Sequence, residues 1–139
     1  MPPLTRWFIK ASLVFLVLAM LTGLAYTANV AWRISPLFGA LGPVYYHLFL
    51  VGWVTQIIFG VVYWMFPKYS LERPRGSENL GWATFWLLNF GLIMRTIGEP
   101  LQALHPGAGL GWLLAISAVL QWLAGLLFVT NSWGRVKEK

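Results

Sequence analysis

The sequence predicts an all-α integral membrane protein, a bundle of four transmembrane helices with both termini cytoplasmic. Three observations predict it. Of 139 residues, 58% are apolar and only 10% are charged, whereas an ordinary soluble domain carries roughly 25% charged residues. The charges cluster, so that residues 11–32, 34–67, 79–94 and 100–134 hold no Lys, Arg, Asp or Glu. Finally, on a path that crosses four times, eight of the ten Lys and Arg residues fall on one side. That is the asymmetry expected of cytoplasmic ends and loops.

The same figures narrow the function classes. A mean hydropathy of +0.67 excludes a disordered chain. Cys is absent, which removes thiol, zinc–thiolate and iron–sulfur chemistry. The length fits one domain, residues 1–139. The net charge of +6 is accounted for by topology, so it calls for no nucleic acid. The basic rim instead attracts anionic membrane lipids.

Span 1 is expected at about 7–28. It is too long for the apolar core of a signal peptide, and Thr27-Ala28-Asn29 makes a poor cleavage site. Ser35-Pro36 to Gly42-Pro43 reads as an outer loop. Span 2 follows at about 44–66. Lys68 to Glu78, with Arg73-Pro74-Arg75-Gly76, forms a polar inner loop. Span 3 is expected at about 79–98. Its charge-free part, residues 79–94, gives only about 24 Å of helix, and a membrane core is about 30 Å thick. The span must therefore include Arg95 in its last turn. Glu99-Pro100 should end it, because proline disfavours helix at the residue before it. His105-Pro106-Gly107 completes the outer loop, and span 4 covers about 108–131.

Tryptophan fits this register. Trp7, Trp64, Trp82 and Trp133 fall near the inner boundary, and Trp32 and Trp112 near the outer one, where indole is favoured. Trp53 and Trp122 sit deeper and are expected to pack between helices.

Chemistry must come from the few polar groups at membrane depth. His47 lies about one turn inside the outer end of span 2. At about 100° per residue it shares a face with Val51, Val54, Ile58 and Met65. Gly52, Gln56 and Gly60 occupy another face, with a four-residue spacing that favours close helix packing. An apolar face carrying one imidazole suits a porphyrin and its iron. The bland alternative is an interfacial histidine bonded to a carbonyl or a lipid headgroup. Arg95 and Met94 fall at about the depth of His47. Arg95 has two candidate partners: Glu99, four residues on, and a ligand carboxylate such as a heme propionate, which guanidinium binds through paired hydrogen bonds. Simple snorkelling to the interface is the alternative. His105 reads as a solvated loop residue, or with Glu99 as a weak metal site. Gln56, Asn89 and Gln121 are expected to hydrogen-bond between helices. No catalytic triad, phosphate loop or pair of acidic catalysts is present, and Asp is absent altogether.

The run from His47 to Pro67, HLFLVGWVTQIIFGVVYWMFP, resembles the second transmembrane helix of subunit I in the heme–copper oxidase superfamily, in its cytochrome c oxidase and nitric oxide reductase branches. The stretches around Gly76-Ser77-Glu78-Asn79-Leu80-Gly81-Trp82 and Leu92-Ile93-Met94-Arg95-Thr96-Ile97-Gly98-Glu99-Pro100 resemble short bacterial membrane proteins of the same kind. The resemblance covers mainly spans 1–3. It implies a bacterial-type inner membrane location and a b-type heme (heme b) whose iron is ligated by His47. Arg95, Met94 and Glu99 would lie near the cofactor. A full subunit I has many more helices and several more histidines. With only two histidines, this chain is expected to hold no copper centre and to be no complete oxidase. The implied function is electron transfer or diatomic-gas sensing. The second axial ligand is left open between His47 of a second subunit, His105, Met94 and none, so a homo-oligomer or a respiratory-chain redox partner is expected. The alternatives are a heme-free accessory or assembly subunit of a respiratory complex and a small transporter or channel protomer.

Overall fold

A computed structural model describes residues 1–136. Lys137, Glu138 and Lys139, two of them counted in the charge asymmetry, lie outside the described residues. Every regular element among the described residues is helical. The elements are α1 (Pro3–Trp32), a single turn α2 (Pro36–Gly39), α3 (Gly42–Met65), α4 (Glu78–Leu104) and α5 (Gly111–Trp133). Helices α1, α3 and α5 are each long and apolar enough to cross a membrane. Helix α4 has 27 residues, about 40 Å, but it carries Arg95 and Glu99.

The ends of these helices follow from local chemistry. Proline occupies the first turn of α1, where its missing N–H costs nothing. Arg33 ends α1 in the left-handed region, φ 49°, and donates its N–H to Asn29 O. The Asn29 side chain then accepts the Ser35 N–H at 2.7 Å, so the turn into α2 is held from within. Ser77 caps α4 by accepting the Leu80 N–H, with Glu78 in the first turn, where a negative charge favours the helix dipole.

Two expectations are corrected here. Helix α4 does not stop before Pro100. It continues to Leu104, with Pro100 buried inside it. Loss of one N–H is tolerated because later residues resume the ladder, His105 N–H reaching Leu101 O at 2.9 Å. The extension also keeps α4 packed on α5 close to Gly98, where a Cβ would meet Leu114 at 3.1 Å. Trp122 does not pack between helices. It is 65% exposed, because the buried stripe of α5 runs through Ser117, Ala124 and Ser132 and Trp122 lies off it. Trp53 is half-buried against Phe49, with ring centroids 4.9 Å apart.

The helices run alternately up and down. At one end, the starts of α1 and α4 meet the end of α3 around Leu4, Gly81 and Tyr63. At the same end Arg135, just past α5, donates to Phe66 O and Pro67 O at 2.8 and 3.0 Å. The far end joins α1 to α3 through Tyr26 and Gly42 and α4 to α5 through Gly98. The buried residues of α1 (Leu4, Thr5, Phe8, Ser12, Phe15, Ala19) recur every three or four positions and form one narrow stripe. Much of the rest of that helix, including Leu13, Val14, Val17, Leu21 and Leu24, is exposed. Helix α4 buries a much wider surface, since it packs on α3 and α5 and is touched by α1.

Between apolar helices in lipid, association rests on close packing and hydrogen bonds rather than on water release. The expected packing face of α3 behaves in this way. Gly52, Gln56 and Gly60 are all buried. A Cβ at Gly52 would sit 2.8 Å from Phe15 Cβ, and one at Gly60 the same distance from Phe8 Cβ. Phe8 in turn meets Phe85 edge-on at 5.2 Å, and Phe59 stacks on Phe128 at 3.7 Å.

Candidate functional site

The polar groups of the bundle gather at two depths. The deeper set joins α3 to α4. Asn89 Nδ2 donates to Gln56 Oε1 at 2.7 Å and to Phe85 O at 2.7 Å, while Gln56 Nε2 donates to Gly52 O at 3.0 Å. This is the interhelical bonding expected of Gln56 and Asn89. Gln121 instead donates within its own helix, to Ser117 Oγ at 3.1 Å.

The second set lies near the far end and holds Arg95 and Glu99 of α4 with His47 of α3. His47 Nδ1 is 2.9 Å from Pro43 O and 3.0 Å from Glu99 Oε1. Arg95 Nη1 donates to the same Glu99 Oε1 at 3.3 Å. Arg95 also donates through Nε to Ser117 Oγ at 3.2 Å and through Nη2 to Leu114 O at 3.5 Å. Ser117 Oγ donates onward to Gly91 O at 2.7 Å. The cluster thus links α3, α4 and α5 through one carboxylate. Glu99 Oε2 is buried with no partner among the described residues, so the carboxylate uses one oxygen for both His47 and Arg95.

The backbone of α3 changes character at the histidine. Leu48–Thr55 is wound as a π-helix, with Thr55 Oγ1 donating to Leu50 O, five residues back. Wider turns of this kind occur often at functional sites. They also break the 100° phase from which the face of His47 was derived. Val51 and Val54 are half-buried, but Ile58 and Met65 are 50% and 68% exposed and line the outside of the bundle.

Of the expected site residues, the fold brings His47, Arg95 and Glu99 together. Met94 is half-buried and, one residue from Arg95, is turned about 100° away from it around α4. His105 is exposed in the loop after α4, its backbone N–H bonded to Leu101 O. Among the described residues no group of three or more His, Cys, Asp or Glu could hold a metal ion. Two participants were not read from the sequence. Ser117 had a usable signal, a small polar residue in an apolar span one turn before Gln121. The Pro43 carbonyl had one too, since Pro43 lies four residues before His47 on the same helix face.

These residues fit a heme in one respect and not in another. A metal-binding histidine characteristically gives one ring N–H to a carboxylate or carbonyl, which fixes the ring and leaves the other nitrogen for the metal. Nδ1 of His47 has both kinds of acceptor, its Nε2 contacts no other described polar group, and the side chain is 31% exposed. Arg95 does not fit the role of propionate anchor. Its three nitrogens are engaged within the bundle, and a propionate would bring a second carboxylate beside the unpartnered Glu99 Oε2. The setting of His47 is thus compatible with a metal ligand, and that of Arg95 is not compatible with a propionate anchor.

Comparison with protein-family models, curated proteins and solved structures finds no match to this chain.

Proposed function

We propose that the chain is a small b-type heme protein of a bacterial-type inner membrane, in which His47 is the axial ligand and electron transfer or diatomic-gas binding is the activity. The observation that carries this reading is the setting of His47, with Nδ1 held between Pro43 O and Glu99 Oε1 and Nε2 left for a metal. The resemblance of residues 47–67 to a heme-bearing oxidase helix supports it independently. In this reading α4 is the fourth span, because it runs antiparallel between helices that cross the bilayer, and the end bearing Arg6, Lys10, Arg73, Arg75 and Arg135 is cytoplasmic. The His47 side chain is 31% exposed, so the heme sits on the outside of the bundle. A second copy of the chain would then cover it and supply the other axial ligand.

A second reading has its own support. Arg95 is fully engaged by Glu99, Ser117 and Leu114 O, as expected where the charged cluster only fastens helices together. On that reading the protein is a heme-free accessory or assembly subunit. An absorption spectrum of the purified protein separates the two. A Soret band that shifts on reduction supports the heme protein, and a colourless, folded protein supports the accessory subunit.

A further inference from the structure

A groove of about 610 Å³ runs between α1 and α4 at the end of the bundle that holds the N-terminus. It is separate from the His47 cluster. One wall is the face of α1 bearing Arg6, Trp7 and Lys10, and the other is the face of α4 bearing Phe85, Trp86 and Ile93. Its chemistry changes along its length. Arg6 and Lys10, four residues apart and both exposed, place two positive charges at the mouth. Trp7 and Trp86 lie across the groove from each other, ring centroids 6.4 Å apart. From Phe85 to Ile93 the wall continues for about 12 Å toward the middle of the bundle.

The two walls touch through aromatic rings, Trp7 meeting Phe85 and Trp86 with centroids 5.9 and 6.4 Å apart, and the groove lies beside the exposed parts of Trp7 and Trp86. Helix α1 packs mainly on α3. Trp86 is 46% exposed and Trp7 52%, large apolar surfaces that a water-soluble ligand would leave wet. A molecule that satisfies both ends must be anionic at the bilayer surface and apolar along the membrane normal.

We propose that this groove binds one anionic phospholipid of the cytoplasmic leaflet, with its phosphate between Arg6 and Lys10 and an acyl chain against Trp7, Trp86 and Ile93. The inference rests on the membrane-spanning reading of the bundle but not on heme. Charge complementarity carries it. Two cations line a groove whose lining contains no acidic residue, and each basic residue near the surface strengthens the binding of anionic lipid roughly five-fold.

The test is the retention of phosphatidylglycerol by the full chain in detergent, compared with phosphatidylcholine and with inorganic phosphate. Phosphatidylglycerol should bind at one per chain and raise the melting temperature, while phosphatidylcholine and phosphate should do neither. R6Q together with K10Q should weaken phosphatidylglycerol about 30-fold. R73Q together with R75Q, which removes equal charge from the same end, should leave it within a few-fold. Equal weakening by both pairs, or equal retention of the two lipids, would overturn the site in favour of diffuse attraction. Insertion into phosphatidylcholine vesicles, followed by flotation, checks the membrane reading separately. A protein that inserts but does not select phosphatidylglycerol refutes the groove alone, and one that does not insert refutes the membrane reading with it.

Discussion

Glu99 Oε1 lies 3.0 Å from His47 Nδ1 and 3.3 Å from Arg95 Nη1, so one carboxylate oxygen orients the imidazole and neutralises the guanidinium. The Arg95 and Glu99 side chains are only 18% and 9% exposed. Removing one member of such a pair leaves the other charge poorly solvated, whereas removing both need not.

Glu99→Leu should therefore cost about 3 kcal/mol of stability, and Arg95→Leu a similar amount. The double variant should lose clearly less than the sum. Thermal unfolding of the four proteins in one detergent measures the coupling. Additive losses would show that the two residues act apart and that the pair is an interfacial contact only.

Gly60→Leu should disrupt packing, because even a Cβ would meet Phe8 Cβ at 2.8 Å. Overpacking of this kind costs about 1–3 kcal/mol. Gly125→Ala is the control, since nothing lies within 4 Å of a Cβ there. Melting temperatures that fall equally for both would contradict the α1–α3 contact described here.

Arg135 is 1% exposed and ties the segment after α3 to the end of α5. Burial lowers its pKa from the ordinary value without threatening its charge. Arg135→Met should cost about 2 kcal/mol through the lost charge-assisted bonds to Phe66 O and Pro67 O. It should also speed proteolysis of the 68–77 loop, in which Leu71 is 93% exposed. An unchanged cleavage rate would mean that the loop is held by other contacts, such as Ser77 N–H to Asn131 Oδ1 at 2.8 Å.

The absence of cysteine makes topology directly testable. Leu71→Cys should react with an impermeant thiol reagent only from the cytoplasmic side, and Gly107→Cys only from the opposite side. Both loop positions are exposed. Labelling of both from one face would contradict a fourth crossing by α4.

The four long helices were legible because a charge-free run of sufficient length leaves few other options. The end of α4 was not, since the rule applied to Pro100 is local and packing against α5 overrides it. The π-helical turns of Leu48–Thr55 leave no mark in an apolar run, so the face of His47 was drawn with the wrong phase beyond them. The charged cluster was half legible. Arg95 and Glu99 follow from helical spacing, but the meeting of His47 with Glu99 depends on the relative placement of α3 and α4. Arg135 belongs, by charge pattern, to the basic rim expected to meet anionic lipids. Its burial depends on two backbone carbonyls after α3 that no side-chain pattern announces.

The account's central claim is that His47 ligates one b-type heme per chain. The most direct test is the absorption spectrum of wild-type protein and His47→Ala, both reconstituted with heme and purified in the same detergent, with circular dichroism as the check on folding. The expected result is a redox-sensitive Soret band in the wild type that is lost in His47→Ala, while helix content stays unchanged and His105→Ala retains the band. A His47→Ala protein with the full Soret absorbance and an unchanged spectrum, or a wild type that takes up no heme, would contradict it.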